Sequence, residues 1–105
     1  MDIKYELILT DKARLDLEDI YYYISKSLMA DKAAENLINK IENSILRLEN
    51  MPESCNIIIG LKEKNKVYRK LIINNYIVIY RIDETNLKVY IIRIVYGGKN
   101  YLNNI

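Results

Sequence analysis

The patterning of this chain changes at one point, and that change limits the folds open to it. Up to residue 51 the apolar positions recur at helical spacing, whereas from residue 67 they run in strand-length segments broken by turn residues. Charge divides at the same place: residues 1–51 hold 7 Lys and Arg against 10 Asp and Glu, and residues 52–105 hold 9 against 4. A chain of 105 residues has room for one core, so neither half can bury its apolar surface without the other. The formal net charge of +2 therefore hides an acidic helical half and a basic strand half. A ligand near the second half meets the local field, which makes a polyanion such as nucleic acid the first partner to consider. Abundant Ile, Asn, Lys and Tyr give a plainer, compositional source for some of those lysines.

Half of the residues are apolar, which argues against disorder and for one domain over residues 1–105. No segment approaches the roughly 18 consecutive apolar residues of a membrane span, and Met1–Thr10 lacks an apolar run of signal length, so a cytoplasmic location without a membrane partner is expected. Cys55 is the one cysteine and histidine is absent, which excludes an internal disulfide, a Cys/His zinc site and every His-based triad. No metal or cofactor is expected. Acid–base chemistry near neutral pH would have to use Tyr, Lys, Glu or a group perturbed by a neighbouring charge.

Ile3–Leu9 reads as a half-buried strand with Ile3, Tyr5, Leu7 and Leu9 on one face. Thr10 or Asp11 can cap a helix whose stripe is Ala13, Leu17, Ile20, Ile24 and Leu28; Arg14, Asp16, Glu18, Asp19 and Lys26 form its solvated face. Tyr21, Tyr22 and Tyr23 wrap most of the circumference, so at least one leaves the core side. Asp31 offers the cap of a second helix, striped by Ala34, Leu37, Ile38, Ile41, Ile45 and Leu48 and stopped near Asn50 by Pro52. The short connection makes the two helices an antiparallel hairpin. Ile57–Ile59 can form a brief strand, followed by Gly60 and a charged, mobile loop over residues 62–66. Val67–Ile73, a turn at Asn74-Asn75, Tyr76–Ile82, a turn over Asp83–Asn86, and Leu87–Tyr96 before Gly97-Gly98 then give three antiparallel strands. The expected fold class is α+β: an N-terminal strand and a two-helix antiparallel hairpin packed on one face of an antiparallel sheet.

Arg69, Arg81 and Arg93 lie inside otherwise apolar strands, where a guanidinium must pair, reach a rim or line an open face. If helices cover one face, the expectation is that all three share the other, beside Tyr80, Tyr96 and Tyr101, as phosphate-binding forks among stacking rings. The competing expectation is that Arg69 or Arg81 pairs with a helix carboxylate.

Three stretches carry a family resemblance: Ala13 and Asp16-Leu17 before Ile20 and Tyr23-Ile24; Arg69 through Tyr80; and Ile92-Arg93 through Tyr96, Gly97, Gly98, Lys99 and Tyr101. In their order and spacing the chain resembles RelE/ParE toxins of bacterial type II toxin–antitoxin systems along nearly its whole length. The resemblance implies a toxin restrained by a cognate antitoxin in a hetero-oligomer, with exposed Tyr22, Leu46 or Ile105 available to meet it. It implies one of two activities. The leading expectation is a ribosome-dependent, metal-independent messenger RNA endoribonuclease, with ribosome and mRNA as partners; the alternatives are a non-enzymatic DNA gyrase poison and a degenerate toxin kept as an antitoxin-binding module. For RNA cleavage, Arg69 would clamp the phosphate, Tyr96 would orient the 2′-OH or stack on a base, and Arg93 and Glu63 would complete the catalytic group. Lys62, Lys64, Lys66, Arg81, Lys99 and Tyr101 would bind RNA. Relatives often carry Arg-Arg-Asp after the glycine at the end of the last strand, where this chain has Gly98, Lys99 and Asn100 and so keeps a point charge at Lys99 without a planar fork.

Overall fold

The computed structural model describes residues 3–63 and 66–98, with the side chains of residues 59–63 outside that description. Strand β1 (Glu6–Leu9) leads into helix α1 (Asp11–Tyr22), a π-helical turn (Tyr23–Ser27) and helix α2 (Asp31–Leu46). Two 3-10 turns (Arg47–Glu49 and Pro52–Ser54) connect to β2 (Ile57–Glu63), β3 (Lys66–Ile73), β4 (Tyr76–Asp83) and β5 (Lys88–Tyr96). The sheet order is β1-β5-β4-β3-β2. The expected α+β class and helical hairpin are present, but the sheet is mixed: β1 runs parallel to β5 while the other pairings are antiparallel. A whole helical hairpin separates β1 from the following strands, so no tight turn ties its direction to theirs.

Local chemistry sets the helix ends. Thr10 Oγ1 accepts from Ala13 N–H at 3.2 Å and donates to Ile91 O at 2.8 Å, so one hydroxyl both caps α1 and fixes it to β5. The first helix was expected to continue to Leu28; it widens instead into the π-helical turn, which buries Ser25 and lets its hydroxyl donate to the Asp31 carboxylate across the hairpin corner. Asp31 is thus the first helical residue of α2 rather than its cap, a position taken by Ala30. Between the helices Met29 adopts φ 51°, left-handed backbone that costs a residue with a Cβ about 1 kcal/mol. Its side chain is almost fully exposed, so Met29→Gly is expected to raise stability by about 0.5–1 kcal/mol, read as a higher thermal midpoint.

The sheet is buried on both faces. On the helix side, Ile41 and Leu48 pack with Val78, Tyr80, Val89, Ile91 and Ile94; on the other, Ile58, Tyr68, Ile77, Ile79 and Val95 form a second cluster. Strand β4 contributes alternately to both, as its unbroken apolar run requires. The Asn74-Asn75 turn joins β3 to β4 with Asn74 at φ 53°. The segment read as a mobile charged loop is partly strand: Lys62 pairs with Val67 and Glu63 with Lys66 at the end of a β2–β3 ladder whose register shifts after Ile57. Among the described residues no helix is long and apolar enough to cross a membrane.

Candidate functional site

The three strand arginines do not share a face. Arg69 stands on β3 in the same alternation as Leu71 and Ile73, which pack into the helix-side core. Its Nη1 donates to Cys55 O at 2.7 Å and to Glu53 O at 3.3 Å, holding down the turn at Pro52–Ser54. Both acceptors are neutral, so the guanidinium keeps its full charge, and among the described residues it forms no ion pair.

Arg81 follows the alternation of Ile77 and Ile79 and points to the opposite side. Its guanidinium carbon lies 4.3 Å from the centroid of the Tyr90 ring on the neighbouring strand. That is a cation–π contact, worth about 0.5–1 kcal/mol at a partly exposed site.

Arg93 is held in a third place. β1 covers β5 only from Lys88 to Ile91, and beyond that point α1 takes over the strand's edge. A bulge at this position sets Ile79 opposite Arg93 and Tyr80 opposite Ile91, leaving Ile92 as the extra residue. Beside it, Asp16 receives Arg93 Nε at 2.8 Å, Arg93 Nη2 at 2.9 Å and the Ile94 N–H at 2.9 Å. The hydrogen bonds from the Asp16 carboxylate raise the already high Arg93 pKa. Asp16 is therefore a junction between helix and sheet, not part of a solvated face. The signal was in the sequence: Asp16 lies three residues after Ala13 and four before Ile20, both buried.

The tyrosines separate as well. Tyr80 is fully buried beneath the helical side and unavailable for stacking; its hydroxyl donates to Pro52 O at 2.5 Å. Tyr96 is well exposed, and its ring meets Tyr76 edge-on with centroids 5.8 Å apart and planes at 83°. Arg69 pairs with Tyr80 and Tyr96 with Tyr76, so four residues of β4, about 13 Å, separate the two expected catalytic groups along the sheet. They also flank β4 on opposite sides. Lys66 is exposed at the start of β3, and Lys62 and Glu63 lie at the end of β2. Lys64, Lys99 and Tyr101 fall outside the described residues.

Burial, then the Cys55 thiol, pushes the Tyr80 phenol well above its ordinary range, and burial with the neighbouring Tyr23 and Tyr96 pushes Tyr76 up. The folded state thus keeps protons that the unfolded chain releases. Their contribution is complete below about pH 10 and is lost as pH rises through the higher folded values. Urea unfolding at about pH 8 and about pH 11 should show a fall in stability that is smaller in Tyr80→Phe. That variant should also lose about 1 kcal/mol at neutral pH, since Pro52 O is left without its donor.

A family model for the ParE toxin of the parDE type II toxin–antitoxin system matches residues 7–101. The chain belongs to the ParE toxin family. This ParE-family chain is similar in fold to solved structures at low identity. A chain of the chromosomal ParDE system from P. aeruginosa matches with TM-score 0.73 and 18% identity over 90% of this chain and 98% of that one. A chain of the RelBE2 toxin–antitoxin complex from Mycobacterium tuberculosis matches with TM-score 0.66 and 18% identity over 93% and 100%. A chain of the archaeal RelE–RelB complex from Pyrococcus horikoshii gives TM-score 0.58 and 15% identity over 91% and 98%. No curated protein sequence matches significantly. The ParE-family chain is thus the toxin of a type II toxin–antitoxin system on a RelE/ParE fold.

Proposed function

We propose that this toxin acts by binding its target, as a poison of DNA gyrase, rather than by cutting messenger RNA, and that a cognate antitoxin restrains it. The observation that carries this reading is the separation of Arg69, Arg81 and Arg93, each engaged in a different local task. Attack of a ribose 2′-OH on the adjacent phosphate needs cations and a proton-moving group converging on one phosphate, within hydrogen-bond distance of the reacting atoms. The register sets the expected clamp, Arg69, and the expected phenol, Tyr96, four residues apart along β4 and on opposite flanks of it, which counts against their meeting on one phosphate. Arg93 cannot swing towards either without abandoning two hydrogen bonds to a carboxylate. Poisoning by binding makes no such demand on side-chain convergence. Solved relatives in complex with antitoxins support the antitoxin partner.

The test is induced expression with and without the neighbouring open reading frame, following growth, plasmid supercoiling and messenger integrity. Growth arrest accompanied by relaxed plasmid and intact messengers is expected, relieved when both frames are expressed. Ribosome-dependent messenger cuts with normal supercoiling would overturn the gyrase reading, and normal growth would leave a toxin that has lost its activity.

A further inference from the structure

The charges of α2 are sorted by side. Lys32, Asn36, Asn39, Lys40, Asn43 and Arg47 follow one another at spacings of 4, 3, 1, 3 and 4, which gathers them on about one-third of the helix circumference. All are exposed, and no carboxylate stands among them. Glu35 and Glu42, two helical turns apart, form a separate flank, while Ala34, Ile41 and Ile45 are buried. From Asn36 to Arg47 the cationic and amide side chains line one open depression together with Ser44. Lys40 Nζ donates to Asn74 Oδ1 at 2.7 Å, which fastens this face to the β3–β4 turn and leaves two ammonium donors for another acceptor. Among the described residues Lys32, Lys40 and Arg47 form no ion pair. Helix stability does not account for the set. Lys32 lies near the start of α2, where the helix dipole disfavours a cation, and the asparagines disfavour a helix interior; only Arg47 suits its position, at the C-terminal end. A face that runs against local preference points to a ligand.

We infer that this face of α2 lies on the phosphate backbone of duplex DNA, with Lys32, Lys40 and Arg47 neutralising phosphates and the amides of Asn36, Asn39 and Asn43 donating to phosphate oxygens. The inference deepens, and rests on, the reading that the toxin poisons gyrase, which supplies the duplex. Cations interleaved with neutral donors match a polymer that carries one charge per strand at every base pair, because the cations give affinity and the amides give register. From Lys32 to Arg47 the face runs about 22 Å, long enough to meet several successive phosphates. A single strand of RNA is the poorer match, since such strands are held largely by stacking on aromatic rings and this face has none. Charge complementarity is local here: the first half of the chain is acidic overall, yet these three cations share one side of one helix.

The test titrates the full-length toxin into a labelled DNA duplex of mixed sequence over a range of salt concentrations, and in parallel into gyrase with relaxed plasmid. Duplex affinity should fall with salt along a logarithmic slope of about −2.7, the value for three phosphates neutralised. Lys32→Gln, Lys40→Gln and Arg47→Gln should each reduce that slope by about 1, and the triple variant should bind duplex and inhibit supercoiling about tenfold or more weakly. Asn39→Ala should weaken binding at an unchanged slope, because an amide releases no counterion, and Lys12→Gln, on α1, should change neither. All these sites are exposed, so the thermal midpoint of the free toxin should stay as in the parent. Inhibition of gyrase by a toxin that does not bind duplex, or by a triple variant that inhibits and binds as the parent does, overturns the inference and leaves the gyrase reading intact. A triple variant that binds duplex as the parent does but no longer binds gyrase free of DNA overturns it in favour of an acidic protein surface. Tighter binding of single-stranded RNA than of duplex overturns it in favour of that strand. Normal supercoiling with the parent toxin removes the gyrase reading and this inference with it.

Discussion

Asp16→Ala is expected to destabilise the protein by about 3 kcal/mol and to lower its thermal midpoint by more than about 10 °C. The carboxylate satisfies two guanidinium donors and one backbone N–H at once, and the Asp16 and Arg93 side chains are only 13% and 21% exposed. Removing it leaves a cation that is largely shielded from water and an orphaned Ile94 N–H beside the bulge. The effect reaches beyond one contact, since this junction is where α1 takes over the β5 edge from β1. Asp16→Asn keeps an acceptor for Ile94 and should cost less. Arg93→Met in the Asp16→Ala background should recover part of the loss, because the partly shielded charge that lost its carboxylate is then gone. Urea unfolding of the two single variants and the double variant gives the coupling directly. Additive losses would show that the pair is not the junction described.

Tyr80→Ala should cost about 3–5 kcal/mol. Among the described residues Tyr80 is the largest fully buried side chain, and its ring fills the helix-side core between β4 and the Pro52–Ser54 turn. Its hydroxyl and the Arg69 guanidinium hold neighbouring carbonyls of one short segment: Pro52 by the first, Glu53 and Cys55 by the second. Loss of the ring opens a cavity and frees half of that attachment. Beyond the fall in the unfolding midpoint, amide exchange around residues 52–55 should accelerate more than exchange in α2. The much smaller loss expected for Tyr80→Phe separates the contribution of ring volume from that of the hydroxyl.

Much of this arrangement could be read from the residues. The spacing of Ala34, Ile41, Ile45 and Leu48 marked α2 and its 3-10 extension, and Pro52 marked where they stop. The Asn pair marked the β3–β4 turn, and the unbroken run from Tyr76 marked the central strand. That same two-residue turn, followed through, contradicts the expectation that Arg69 and Arg81 share a face. It pairs Arg69 with Tyr80, the immediate neighbour of Arg81, and adjacent residues in a strand point to opposite sides. The position of Arg93 was beyond such reasoning, because the bulge at Ile92 shifts the alternation and only a folded α1 brings Asp16 to it. The parallel direction of β1 was hidden for a related reason, since local patterning says nothing about how a strand returns after a helical hairpin. The charged segment over residues 62–66 looked like a loop because charged residues disfavour strands, yet the backbone of Lys62 and Glu63 pairs with that of Val67 and Lys66.

The most direct test of the central claim combines the purified toxin with purified gyrase and relaxed plasmid, and in parallel with a translating extract carrying a defined messenger. Loss of supercoiling by gyrase alongside an intact messenger is the predicted result. Normal supercoiling alongside a messenger cut within the ribosome would contradict it.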